Sequence, residues 1–438
     1  MAAALLGTFL MTLDALIVNV ALPAIGHGLG GGITGLQWVV DGYTLMFAAL
    51  LLSAGSVADK VGARRAFGAG LAVFVAASAI CGLAPNLAVL VAARLVQGAG
   101  AAVIVPASLA LIREAFPDSA RRTRAVSVWA MAGSAGAAAG PVAGGLLSQA
   151  DWRLIFFVNV PVGLAALLLL ARTARSPRRP APFDWTGQIA AIVAIGALTY
   201  AAIEAGAAGF GQPRVLAAFA LAVVAGPVFL VSQTRGAHPM VPPELLRSRT
   251  MRVAAAAGFA INVGFYGVIF LFSLYLQQSR GLSALAAGLT FVPMTVLTAF
   301  ISRASAWLAL KCGPRVPVVT GLLVMSTGLA VLSLSPVSVP VWALVALIVP
   351  VGAGGSLALP SVTAVLLDRV PAERAGTASG VLNASRQLGG GLAVAAFGAL
   401  VAHAGSFHEG LRTSLLTAAF LILPATAASL LLRPGTRS

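Results

Sequence analysis

Apolar side chains in this chain gather into long runs separated by short polar breaks. Fourteen runs reach spanning length, at about 3–26, 36–57, 67–84, 87–112, 124–149, 154–172, 185–205, 213–234, 251–277, 283–308, 315–335, 338–367, 373–401 and 411–432. A bilayer core of roughly 30 Å is crossed by about 20 helical residues at ~1.5 Å each, so each run predicts one transmembrane helix. Several exceed 25 residues, which implies tilt or extension beyond the lipid. The longest polar break is Thr173–Asp184 (TARSPRRPAPFD), whose prolines and arginines exclude a spanning helix, and Gly236–Thr250 is a second. Neither has room for a soluble domain. The pattern therefore predicts an all-α polytopic membrane protein, and it removes most enzyme classes.

Basic residues orient the runs, because cytoplasmic loops carry the excess of Lys and Arg. With Met1 inside, 22 of the 28 basic residues fall in inner loops or the C-terminal tail, including Arg175, Arg178, Arg179, Arg433 and Arg437. Four fall outside (Arg153, Arg214, Arg280, Arg412), and Arg94 and Arg386 lie within spans. Adding or removing one helix scrambles this alternation, so the count predicts an inner-membrane protein with both termini cytoplasmic. An internal repeat adds to the plan: Gly98, Gly100, Pro106 and Pro117 recur as Gly352, Gly354, Pro360 and Pro371, each displaced by 254. Lys60–Arg64 recurs loosely as Lys311–Arg315. Two six-helix bundles, 1–172 and 251–438, thus flank a segment 173–250 that carries two extra central helices.

The composition agrees with a membrane solvent. Of 438 residues, 59% are hydrophobic and 9% charged, where soluble domains carry about 25% charged residues. A net charge of +16 raises the question of nucleic acid, but the bases stand singly or in small groups between apolar runs, with no basic face or aromatic platform. They read as topology signals beside an anionic leaflet. Cys81 and Cys312 fall on different runs, and the four histidines form no ligand spacing, so no metal, cofactor or disulfide is expected. The first run lacks a basic n-region and carries Asp14, so it reads as a retained helix and not a leader.

That acid is the first candidate. Asp14 lies near the middle of the first run, where a carboxylate is costly unless it faces protein or water. The plain alternative is a buried, permanently neutral structural acid. Arg94 in the fourth run is a deep base whose guanidinium reaches toward the level of Asp14. Gly133, Gly136, Gly140 and Gly144 step by three and four along the fifth run, a face that admits close backbone approach, with Pro141 to bend it and Gly145 beside.

Five stretches resemble the major facilitator superfamily, in its fourteen-span drug:proton antiporter branch. They are Leu13–Pro23 in the first helix, Gly55–Arg65 between spans two and three, Arg94–Gly100, Gly133–Gly145 and Trp152–Pro161. The resemblance is dense over 13–163 and thinner after 250, where Phe272–Gln277 and Ser385–Gly390 also match. It implies a proton-coupled multidrug or antibiotic efflux antiporter working by alternating access, with protons and lipophilic small molecules as partners and a single chain as the working unit. The alternative within transporters is an importer or facilitator of an endogenous metabolite. The resemblance assigns proton movement to Asp14 and Arg94 and implies a cavity role for Asp41, for which a wetted helix-end acid is the alternative. Asn19, Asn262, Tyr266, Asn383, Arg386 and Gln387 are further cavity candidates, with Arg386 facing either substrate or a carboxylate. Gly55, Asp59, Gly62, Arg64, Arg65 and Arg113 form the expected gating loop, Asp59 pairing with a base such as Arg113. The glycine-rich fifth helix is expected at the contact between halves. An ATP-driven pump would need a phosphate loop, and no such run is present.

Overall fold

The computed structural model of the protein describes residues 1–174, 176–177, 183–236, 238–371 and 374–432; Arg175, Arg178, Arg179, Arg433 and Arg437 of the orientation count lie outside them. Helices account for all regular structure among the described residues. The first seven are α1 (Ala2–Leu29), α2 (Gly32–Val61), α3 (Ala63–Leu83), α4 (Leu87–Ala115), α5 (Ser119–Ala150), α6 (Leu154–Phe157) and α7 (Asn159–Ala171). There follow α8 (Trp185–Ala208), α9 (Pro213–Arg235), α10 (Pro243–Arg247) and α11 (Arg249–Leu274), which ends in a π-helical turn, Tyr275–Ser279. The last six are α12 (Ala284–Thr290), α13 (Val292–Cys312), α14 (Arg315–Ser333), α15 (Val341–Asp368), α16 (Ala375–His403) and α17 (Phe407–Ser429).

Local chemistry sets several ends. Side-chain oxygens of Asn86, Asp118 and Asp184 cap α4, α5 and α8 by accepting from Val89, Arg121 and Gly187 N–H at 3.0, 2.8 and 2.8 Å. The sixth run, expected as one helix, is broken at Val158. Pro161 has no N–H for the Phe157 carbonyl, and its ring crowds that carbonyl, so the helix restarts at Asn159. The tenth run breaks in the same way at Phe291, just before Pro293.

Among the described residues, thirteen spans are long and apolar enough to cross a membrane, with α6–α7 and α12–α13 counted as single spans. The remaining predicted run, α16, has 29 residues but is not among them. It carries Ser379, Asn383, Ser385, Arg386 and Gln387, and it packs against α11, α2 and α8. Protein neighbours, and not lipid, solvate those polar groups.

The internal repeat reappears as packing. A Cβ on Gly70 would fall 2.9 Å from the Gly100 carbonyl oxygen where α3 crosses α4. One on Gly321 would fall 2.5 Å from the Gly354 carbonyl oxygen where α14 crosses α15. Gly62 and Gly313, which follow α2 and α13, both sit at positive φ (91° and 84°), a turn few other residues adopt.

Helices α1–α7 pack mainly among themselves, as do α11–α17. Side-chain hydrogen bonds between these sets lie in the part of the bundle remote from Met1. Gln37 of α2 donates to the Val394 and Ala395 carbonyls of α16 at 2.9 and 2.6 Å. Ser273 Oγ and Gln277 Nε2 donate to the Asn19 and Val20 carbonyls of α1 at 2.5 and 2.9 Å. The α8–α9 pair stands beside the seam between α2 and α16, with α8 touching both.

Candidate functional site

Three helices converge on Asp14. Close packing of α5 fixes one side of α1: Cβ atoms on Gly140 and Gly144 would fall 2.9 Å from Leu16 Cβ and 2.6 Å from the Ile17 carbonyl oxygen. The fifth helix reaches the contact between halves, as expected, but not through its glycine face, which meets α1 within the same half. Gly145, about 100° further round the helix, is the residue that reaches across, against Ala284 and Leu285 of α12. The Pro141 carbonyl likewise meets Gly288.

With α1 held this way, Asp14 faces α4 and α7. Its Oδ2 accepts from Arg94 Nη1 at 2.5 Å, and its Oδ1 accepts from Gln97 Nε2 at 2.9 Å and Asn159 Nδ2 at 2.8 Å. Arg94 also donates to Gln97 Oε1 at 2.8 Å and to the Val39 carbonyl at 3.0 Å. Asn159 reaches Ser78 Oγ at 2.9 Å, and Ser78 donates to the Phe156 carbonyl at 2.9 Å. Asp14, Gln97, Asn159 and Ser78 are 0% exposed and Arg94 is 1% exposed. The guanidinium lies 4.4 Å from the Tyr43 ring centroid, a cation–π contact. In a medium without water such a pair persists only because each charge has further hydrogen bonds.

Asp14 and Arg94 are thus brought together as the spacing suggested. Gln97, Asn159, Ser78 and Tyr43 were missed. Gln97 is three residues past Arg94, hence on the same helix face, and Asn159 opens the helix that Pro161 forces to restart; both signals are in the sequence.

Asp41 is 0% exposed, and neither carboxylate oxygen has a hydrogen-bond partner among the described residues. It lines a small cavity of about 10 Å³ with Thr44 of α2, Ile195 and Thr199 of α8, and Gln387 and Gly391 of α16. Asn19 donates back to the Ala15 carbonyl at 3.0 Å, and its own carbonyl forms part of the tie to α11. Asn262, Tyr266, Asn383 and Arg386 gather where α11 meets α16: Arg386 donates to Asn383 Oδ1 at 3.0 Å and to Asn262 Oδ1 at 3.4 Å. A carboxylate partner for Arg386, one of the two expectations, is not found among the described residues.

The gating loop is assembled differently from its expected pairing. Asp59 and Arg113 line one opening with Glu114 and Pro177, but they form no ion pair in this conformer. Arg64 instead binds the end of α7 and the segment after it, its N–H donating to Ser176 Oγ and its Nη2 to the Ala171 carbonyl, both at 3.0 Å. Gly62 and Arg65 border the same groove, while a Cβ on Gly55 would meet no atom of the described residues outside its own helix within 4 Å.

A family model described as Major Facilitator Superfamily matches residues 4–394. The chain belongs to the major facilitator superfamily. It is a multi-pass membrane transporter and not an enzyme. The "Multidrug resistance protein Stp" of Mycobacterium tuberculosis (strain CDC 1551 / Oshkosh) is 38% identical over 400 residues, covering 91% of this chain and 74% of that protein. The "Methylenomycin A resistance protein" of Streptomyces coelicolor is 34% identical over 438 residues, covering 99% and 92%. Among solved structures, a D-xylose-proton symporter superposes with a TM-score of 0.71 over 99% of this chain and 97% of that one; at 16% identity it speaks to the fold alone.

Proposed function

We propose that this transporter exports lipophilic compounds across the cytoplasmic membrane in exchange for protons, as a member of the fourteen-span drug:proton antiporter branch. The observation that carries the reading is the enclosed Asp14–Arg94 pair. A carboxylate held by an arginine inside a mobile bundle takes up a proton when the two separate and gives it up when they rejoin. The relatives named for multidrug and antibiotic resistance supply the direction and the class of cargo. The reading takes α16 as a further span that brings the count to fourteen, 1–172 and 251–438 as the two moving bundles, 173–250 as the inserted pair, both termini as cytoplasmic and one chain as the working unit.

Helix α1 links the two events. Asn19 and Val20, whose carbonyls accept from α11, stand five and six residues past Asp14, about 7.5–9 Å along one rigid helix. Breaking that tie to open the remote end moves α1 against α4, and with it Asp14 against Arg94. Gln97 and Asn159 hold Oδ1 in the closed state, so only Oδ2 changes partner. Tyr43 covers the guanidinium and keeps water from it until the helices part.

The test uses inverted membrane vesicles with an imposed pH gradient, acid inside, and a panel of dyes and antibiotics. Wild-type vesicles should accumulate some of them, and Asp14→Asn vesicles should not. Uptake indifferent to the gradient rejects proton antiport, and uptake retained in the variant clears Asp14 of coupling. Gradient-driven movement in the opposite sense assigns an importer.

A further inference from the structure

A base inside a membrane bundle ordinarily faces an acid. Arg386 belongs to none of the four ion pairs among the described residues; its donors meet two neutral amide oxygens. Around it the surplus is again of donors. Asn262 is 2% exposed, and its Nδ2 has no hydrogen-bond partner among the described residues. Tyr266, one turn further along α11, lies against α16 one turn past Arg386, where a Cβ on Gly390 would touch its ring at 3.3 Å. The wall where α11 meets α16 therefore offers a guanidinium, an amide N–H and a phenol O–H, with no carboxylate among them.

Neither deep acid serves this wall. Asp14 is held by Arg94, Gln97 and Asn159. Asp41 points at Gly391, whose Cβ would lie 3.3 Å from Oδ1. Gly391 is five residues past Arg386, so it is turned about 140° round α16. Helices α11 and α16 also pack against α1 and α2 of the other half, so this wall belongs to the interior of the bundle.

We propose that Arg386, Asn262 and Tyr266 bind an ionised acidic group of the transported compound, a carboxylate or phenolate carried on an otherwise apolar scaffold. A guanidinium offers paired N–H donors to such a group, and the attraction is strong where water is scarce. Asn262 Nδ2 and the Tyr266 hydroxyl complete the cradle. This names the cargo class for the export reading above and rests on it for transport, though not for binding.

Two xanthene dyes of similar shape separate charge from size: fluorescein, which carries a carboxylate and a phenolate, and rhodamine 123, an esterified cation. In inverted vesicles under the pH gradient, wild type should accumulate fluorescein. Arg386→Gln should lower that uptake about tenfold or more, the loss of a charge-assisted contact, while changing rhodamine 123 uptake by less than about twofold. Arg386→Lys should restore part of the fluorescein uptake, and Asn262→Leu should lower it several-fold. A merely structural arginine would depress both dyes together, and that result overturns the proposal, as does a wild type that moves rhodamine 123 but not fluorescein. If neither dye moves, the export reading is at fault, and fluorescence anisotropy with purified protein decides the site by itself. Fluorescein bound by wild type and not by Arg386→Gln supports the cradle; equal binding, or none to either, refutes it.

Discussion

Replacing Asp14 by asparagine isolates the ion pair at nearly constant volume. Asparagine Oδ1 can still accept from Gln97 and Asn159 at their present 2.9 and 2.8 Å. Its Nδ2, however, would face Arg94 Nη1, where the carboxylate now accepts at 2.5 Å, so a donor meets a donor. The lost charge-assisted bond is worth about 1.5–3 kcal/mol. A guanidinium 1% exposed and left without its counter-charge brings the whole cost to about 3–5 kcal/mol. Adding Arg94→Met removes the stranded charge. The double variant should therefore be more stable than Asp14→Asn by roughly 2 kcal/mol or more, although one more native side chain is gone. Unfolding of the purified variants in detergent measures the cycle, and gradient-driven dye uptake measures coupling. Both variants should be inactive, which separates coupling from folding. The reasoning fails if Asp14→Asn lies within about 1 kcal/mol of wild type, or if the double variant is no more stable than the single one.

Gly140→Leu places its Cβ 2.9 Å from Leu16 Cβ, an overpacking that costs about 1–3 kcal/mol and pushes α1 from α5; transport per inserted molecule should be abolished. Gln37→Ala deletes both hydrogen bonds to α16, worth roughly 0.5–1.5 kcal/mol each. Spin labels on the remote ends of α2 and α16 should then report a larger open population; unchanged distances would deny Gln37 a part in the tie. Asp59→Asn should slow uptake while leaving membrane insertion intact, because Asp59 stands exposed at the opening it shares with Arg113. Initial rates normalised to inserted protein check this, and an unaltered rate would remove Asp59 from gating.

Much of the site was visible as residue types. A carboxylate and a guanidinium each isolated within an apolar run must find each other or water, so Asp14 and Arg94 could be paired before any coordinates. Gln97 and Asn159 stood in the same motifs but carried no charge, and an amide in a spanning helix usually bonds whichever helix is nearest. Their convergence depends on where Pro161 breaks the helix and on how α5 sets the rotation of α1. The glycine face shows the same division. Its spacing predicted close approach correctly but named no partner, since a smooth groove accepts any helix that presents a complementary ridge. Arg386 lost one of its two readings only when α16 was seen against α11, with no ion pair to an acid among the described residues.

By itself the sequence determined the solvent, the helical class, the approximate spans and the two-fold repeat, because apolar run length, isolated charges and recurrent glycines are local quantities. The tertiary structure alone decided which helices touch: that α1 carries both Asp14 and the tie to α11, that Asp59 stands apart from Arg113, and that α16 hides its polar face between α2, α8 and α11. Inside lipid, hydrophobicity does not choose among helix neighbours. Steric fit and hydrogen bonding do, and both depend on the rotation and tilt of every helix in the bundle.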